Sequence, residues 1–112
     1  MKRIDAVVRR ERFHHVKSAL DKVGCPGMMV FSFQGHGRQG GIVEKVHGRR
    51  VKIRFVSKIL MVIFAANEDA EHIVAAIVKA ARTGNIGDGK VFISDIEGAV
   101  RIRTGESGLA AI

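Results

Sequence analysis

A chain of 112 residues, 46% of them hydrophobic, with one proline and a formal charge of +8, has room for a single domain over 1–112 and a modest core. The lone Cys25 rules out an internal disulfide, no apolar run reaches the roughly 18 residues of a membrane span, and the opening MKRIDAVVRRER lacks a signal-peptide core, so a soluble cytoplasmic protein is expected. The surplus positive charge asks for an anionic partner, which could be nucleotide phosphate, nucleic acid, an acidic protein surface or anionic lipid.

Residues 2–9 place Ile4, Ala6 and Val8 at alternate positions, which predicts a strand. In residues 11–23 Phe13, Val16, Leu20 and Val23 recur at helical spacing, and Gly24 with Pro26 ends the run. A second strand is expected over 28–35 and a third, almost continuously apolar and therefore central, over 57–67. Asn67 is the expected N-cap of a second helix that has Glu68, Asp69 and Glu71 near its positive end and Lys79 and Arg82 near its negative end. Ala70, Ile73, Ile77 and Ala80 mark its buried face, and Gly84 supplies the stop. A fourth strand over 90–96 completes the order βαββαβ, an α+β, ferredoxin-like sandwich with both helices on one face of an antiparallel sheet. Between the second and third strands about twenty residues show no firm helical period, a loop too long to be structureless in a small domain without a functional reason.

From Gly84 to Lys90 the chain fits the first seven positions of the phosphate-loop pattern G-x-x-x-x-G-K-[ST], but Val91 stands where a magnesium-binding hydroxyl belongs. The order is also reversed, since a helix runs into this loop and a strand leaves it. The alternative is an anion nest: glycines 87 and 89 let successive backbone N–H groups turn toward one concavity, and Lys90 adds a point charge. In VRIRTG, Arg101 and Arg103 alternate with Val100 and Ile102, so an extended segment would send both guanidinium groups to one side, a fork suited to phosphate oxygens. Taken singly, each feature is as well explained by a turn or a solvated strand face.

Together, ARTGNIGDGKVF, RIRTGE and GHGRQGG, at these separations in a chain of this length and pattern, closely resemble the PII signal-transduction proteins over essentially the whole sequence. The resemblance implies a homotrimer with ATP or ADP in the clefts between subunits. It assigns a phosphate loop to 82–90, a T-loop to approximately 37–55 and a C-terminal segment to 97–112. By the same resemblance Gly87, Asp88, Gly89, Lys90, Arg101 and Arg103 meet the nucleotide, with Gly35, Gly37 and Arg38 from the base of the T-loop and Met29 and Phe64 around the adenine. Relatives often carry threonine where Met29 stands; a thioether can pack against the base but offers no hydroxyl. The implied second ligand is 2-oxoglutarate chelated to Mg2+, with Gln39 matching the metal's side-chain ligand, Lys58 the partner of the distal carboxylate, and Gly87 a further contact.

The resemblance implies a T-loop that docks on target proteins, and here the sequence departs from its relatives. Val51 and Arg49 occupy the positions of the tyrosine and serine that some relatives modify. From His36 to Phe55 there are six cations (Arg38, Lys45, Arg49, Arg50, Lys52 and Arg54) against the single acid Glu44. Lys45, His47, Arg49, Arg50, Lys52 and Arg54 are the expected docking residues, with an acidic surface on the target protein. An ammonium transporter is a further partner that the resemblance suggests, and His47 counts against it, because relatives place there an arginine that can enter the channel pore. Nucleic acid is disfavoured by the absence of Tyr and Trp and of an aromatic stacking motif.

The expected function is a regulator of nitrogen and carbon metabolism that reads ATP, ADP and 2-oxoglutarate. The alternative is a divergent PII-like nucleotide-binding regulator of another pathway that does not sense 2-oxoglutarate. No general base stands in a recognisable motif, so an enzyme is not expected, although a weak ATPase activity stays open. His14 and His15 point about 100° apart on a helix, which is poor for shared metal ligation.

Overall fold

The computed structural model describes the backbone of residues 1–46 and 49–112, and side chains at 1–34 and 57–112. Four strands, β1 (Lys2–Arg9), β2 (Met29–Val46), β3 (Arg49–Ala65) and β4 (Gly89–Asp95), form one antiparallel sheet in the order β2-β3-β1-β4. The helices α1 (Phe13–Lys22) and α2 (Asn67–Ala81) lie on one face, giving the expected ferredoxin-like α+β sandwich with β3 and β1 central.

The period-two pattern of β1 sends Ile4, Ala6 and Val8 toward the helices, where they pack with Ile59, Met61, Ile63 and Ala65 of β3. Val16 and Leu20 of α1 and Ala70, Ile73 and Ile77 of α2 close this core from above. Burying each of the larger side chains contributes about 1.5–3 kcal/mol, and all of the largest fully buried side chains belong to this one layer.

Several boundaries differ from the sequence expectation. The first helix opens with a 3₁₀ turn at Arg10–Arg12, and Val23, expected on its buried stripe, caps its end and is 41% exposed. Gly24 does end the run, at φ +73°. Asn67 is the first residue of α2 rather than its cap; Ala66, in extended conformation, precedes it without a side-chain cap bond, leaving Glu68 and Asp69 to complement the helix dipole. Ala81 rather than Ala80 is the last fully buried residue of the helix.

The largest difference concerns the segment between the second and third strands. It is an extension of the hairpin: pairing runs from Met29↔Val62 to Gly37↔Arg54, breaks, and resumes from Ile42↔Ile53 to Val46↔Arg49. Residues 38–41 span the break in register. Val51, Ile53 and Phe55 alternate with cations at period two, a strand pattern that high net charge obscures.

Candidate functional site

The face of the sheet away from the helices carries Arg3, Asp5, Val7 and Arg9 of β1, with Lys58, Leu60, Val62 and Phe64 of β3 beside them in register. Lys90 and Phe92 of β4 stand opposite Val7 and Asp5, and Met29 and Phe31 of β2 opposite Val62 and Leu60. Two clusters of candidate residues occupy opposite ends of this face.

The first cluster is the loop from α2 to β4. It turns at three glycines with positive φ, Gly84 (+88°), Gly87 (+103°) and Gly89 (+102°). At Gly89 the requirement is also steric, because a Cβ would overlap the Val7 carbonyl oxygen and lie 2.8 Å from its carbon. Asp88 gathers the loop around itself. Its carboxylate accepts from the Thr83 N–H at 2.8 Å, the Gly84 N–H at 2.9 Å, the Thr83 hydroxyl, and Arg9 Nε at 3.0 Å. These donors, the Thr83 hydroxyl foremost, hold the Asp88 carboxyl well below the usual carboxylate range.

Two cations tie the loop's carbonyls to the sheet. Arg9, at the end of β1, donates through Nη2 to the Ile86 carbonyl at 2.7 Å, and Lys58, its register neighbour on β3, donates to the Gly87 carbonyl. Lys90 leaves β4 on the open face, is exposed, and forms no ion pair with another described residue. The structure thus brings Gly87, Asp88, Gly89, Lys90 and Lys58 together. It adds Arg9 and Thr83, which sequence reasoning missed; the only available signal was the Thr83-Gly84 pair inside the quoted loop motif.

The second cluster lies at the other end. Met29, Phe64 and Val62 line a pocket of about 440 Å³ with Pro26, Gly27 and Met28 before β2 and with the C-terminal residues Ala111 and Ile112. Arg3 stacks over the Phe64 ring at 5.9 Å and is held by Asp5, whose carboxylate raises the guanidinium's already high value. Arg101 belongs to this end, because its guanidinium donates to the Ala110 carbonyl next to the pocket-lining Ala111, and Arg103 follows it two residues on.

Arg101 and Arg103 do not sit on an extended segment as expected. Val100 bridges Ser107, and residues 101–105 form a turn in which Gly105 N–H donates to the Arg101 carbonyl at 2.8 Å and Arg101 N–H to the Glu106 carbonyl at 2.8 Å. Gly105, at φ +73°, lets the chain reverse, and the turn leaves Ile102 wholly exposed instead of packed. Arg101 is already engaged, by Glu106 Oε1 at 3.1 Å and the Ala110 carbonyl at 2.8 Å, whereas Arg103 has no ion pair with a described residue.

The two clusters are therefore separate within one chain. Phe64 is level with Arg3 and Gly89 with Val8, five residues along β1, or roughly 16–17 Å. Between them the face presents Asp5, which repels anions, and apolar Val7 and Leu60.

Gly35 and Gly37 lie in β2 opposite Val56 and Arg54, while the side chains of Arg38, Gln39, Lys45, Arg49, Arg50, Lys52 and Arg54, and the whole of His47, lie outside the described residues. Among the described residues no group of three or more His, Cys, Asp or Glu could hold a metal ion. His14 packs against Phe13 and His72 pairs with Asp69 at 3.7 Å. Burial pushes the Cys25 thiol up, away from a reactive thiolate. No helix among the described residues is long and apolar enough to cross a membrane.

The family described as "Nitrogen regulatory protein P-II" matches residues 1–106. The chain is 48% identical over 112 residues to nitrogen regulatory protein P-II 2 of Methanothermobacter thermautotrophicus, covering all of this chain and 97% of that protein. It is 44% identical to nitrogen regulatory protein P-II of Rhizobium meliloti over the full length of both. Among solved structures, Arabidopsis thaliana PII bound to citrate superposes with a TM-score of 0.79 at 34% identity, over 99% of this chain and 91% of that one.

Proposed function

We propose what this chain, which belongs to the nitrogen regulatory protein P-II family, does with its divided site: it is a homotrimeric sensor that binds ATP or ADP between subunits. One copy supplies the loop end (Gly87, Asp88, Gly89 and Lys90), and its neighbour supplies Met29, Phe64, Arg101 and Arg103. The observation that carries this reading is the separation of the two clusters, each of which offers half of what a nucleotide needs. The loop offers backbone N–H groups and a cation for phosphate, and the far end offers an apolar pocket and an arginine. The open face also carries exposed apolar groups, among them Met29, Phe31 and Phe92 (55% exposed), that a second copy would cover.

The P-II relatives are regulatory proteins by name, and the regulator reading carries over here: ligands set the state of the hairpin between β2 and β3, which docks on a target protein. The second ligand in this proposal is 2-oxoglutarate, with Lys58 and Gly87 at its carboxylates. Gln39 would meet a Mg2+ that the keto acid and the nucleotide phosphates chelate. That the Arabidopsis relative binds citrate supports a small polycarboxylate as ligand of this fold. A coupling of about 1–3 kcal/mol between effectors changes affinity roughly 5- to 150-fold, enough for a switch. No catalytic step is part of this proposal.

One observation favours a second reading, a P-II regulator that binds nucleotide without sensing 2-oxoglutarate. The Lys58 ammonium already spends one of its three donors on the Gly87 carbonyl, so its position is set by the loop before any keto acid arrives. Titration calorimetry with ATP and ADP, each with and without 2-oxoglutarate and Mg2+, separates the two. The first reading expects 2-oxoglutarate to tighten ATP binding, and the second expects ATP binding that 2-oxoglutarate leaves unchanged. A protein that binds neither nucleotide contradicts both.

A further inference from the structure

Resting on the nucleotide reading above, we propose that Arg9 and Asp88 are positioning residues that orient the loop's backbone for phosphate, with neither side chain touching the ligand. The argument starts from the trans peptide plane, in which the C=O of one residue and the N–H of the next point in opposite directions. No peptide of the described chain is cis. Arg9 Nη2 draws the Ile86 carbonyl toward the sheet at 2.7 Å, and Lys58 draws the Gly87 carbonyl the same way. The Gly87 N–H must then face the other way and donates to no described residue, while the Asp88 N–H turns back toward the Asn85 carbonyl across the turn at Ile86–Gly87.

An anion approaching the loop is repelled by carbonyl oxygens and attracted by N–H groups. Turning the carbonyls onto cations removes the repulsion and presents the donors. Asp88 fixes the other half of the turn. By collecting the N–H groups of Thr83 and Gly84 and the Thr83 hydroxyl, and by bonding Arg9 Nε at 3.0 Å, it locks the entry to the loop and aims the guanidinium whose other arm reaches Ile86. One guanidinium therefore bonds both a carboxylate and a carbonyl in the same loop, geometry that a lysine's single ammonium cannot reproduce.

Charge and geometry predict opposite signs for Asp88→Asn, which makes the idea testable. Were Asp88 merely a negative charge near the phosphates, removing it would tighten ATP binding; as the positioning group, its loss weakens binding. The experiment measures ATP and adenosine affinity by calorimetry, and amide hydrogen exchange of the unliganded protein, for the full chain and for Asp88→Asn, Arg9→Ala and Arg9→Lys. Expected are a roughly tenfold or greater loss of ATP affinity in Asp88→Asn and Arg9→Ala and unchanged adenosine affinity. Arg9→Lys should recover only part of the loss, and the Thr83 and Gly84 amides should exchange faster while core amides hold.

Unchanged or tighter ATP binding by Asp88→Asn overturns the proposal and leaves the nucleotide reading intact. If the unmodified protein binds no ATP while the variants still lose loop protection, the nucleotide reading has failed and the phosphate role falls with it. Should Asp88→Asn fail to fold, Thr83→Val, which deletes the hydroxyl that donates to Asp88 and accepts from the Asn85 N–H, must show the same ATP-selective loss in smaller measure; a Thr83→Val that binds ATP normally also overturns it.

Discussion

The loop end of the open sheet face and its far end are built in opposite ways. At the loop end the carbonyls and the carboxylate are spent within the chain: Asp88 takes four donors, Arg9 and Lys58 take two carbonyls, and Gly89 lets β4 start against the backbone of β1, which leaves Lys90 and the loop's outward N–H groups for a ligand. At the far end the pocket around Met29 and Phe64 is open, the turn at 101–105 leaves Ile102 in solvent, and Arg103 reaches no described partner. The difference teaches where rigidity is needed. A nest that reads phosphate by backbone geometry must be held in shape before the ligand arrives, whereas an apolar pocket can be completed by whatever packs on it.

The comparison breaks most visibly at its glycines. Gly89→Ala must place a Cβ into the Val7 carbonyl at φ +102°, and strain plus overlap should lower stability by roughly 3–5 kcal/mol. Gly105→Ala, at φ +73° with open space around it, should cost only about 1–2 kcal/mol. Urea melts of the two variants check this. Equal losses would mean that the loop end is no more tightly built than the turn.

A sharper test asks whether the ends belong to one site. If the proposed site holds, Lys90→Ala and Arg103→Ala each remove a charge-assisted hydrogen bond to phosphate worth roughly 1.5–3 kcal/mol, so each alone should weaken ATP binding by an order of magnitude or more. If the site is shared between copies, mixing and refolding the two variants together restores clefts with both groups present, and a fraction of tight sites returns. Calorimetry of the mixture that shows only weak binding refutes sharing, and a monomer in sedimentation equilibrium at micromolar concentration refutes the trimer directly.

These ends were unequally legible in the sequence. The element order, the buried faces of β1, α1 and α2, and the loop's glycines follow from periodicity and from the φ that glycine alone adopts cheaply, both local properties. Arg9 was not legible, because its partners Ile86 and Asp88 are brought to it only by the pairing of β1 with β4. The arginine alternation at 101–103 misled for a related reason: period two is necessary for a strand but does not supply a neighbour to pair with, and here Gly105 and the Arg101–Glu106 bonds favour a turn. In the hairpin the error ran the other way, since the density of cations hid the strand alternation at Val51, Ile53 and Phe55.

Smaller effects attach to the second ligand and to pH. In the proposed site Gln39→Ala should lose 2-oxoglutarate binding while largely keeping ADP, and Lys58→Ala should lose 2-oxoglutarate and, because its ammonium also holds the Gly87 carbonyl, weaken ADP in smaller measure; normal 2-oxoglutarate binding by either variant ends that assignment. For pH, the folded value of Asp88 lies below its unfolded one. The carboxylate therefore stabilises the loop above the ordinary value of about 3.9 and is lost only as pH falls through the lower folded value. Loop amides of Thr83 and Gly84 should keep their protection at pH 4. A midpoint at pH 4 in their exchange or chemical shift would show that the donors around Asp88 are not holding it.

The smallest expected effect on stability, and the one most specific to this chain, lies beyond the loop end in the hairpin. Its surplus of five positive charges between His36 and Phe55 is most of the chain's net +8. A surplus of like charge in one short stretch of sequence favours an acidic surface as its partner. Such a partner would be captured faster at low ionic strength, since charges farther apart than about 8 Å are screened at physiological salt. Replacing Arg49, Arg50 and Lys52 with Ser should therefore leave the melting midpoint and ATP affinity nearly unchanged. The same change should slow association with the target and flatten its salt dependence. The bland alternative is a solvated, solubilising hairpin. Capture from lysate at two salt concentrations, comparing the triple variant with the unmodified chain, distinguishes them, for a solubilising hairpin loses neither partners nor salt sensitivity when its charge is removed.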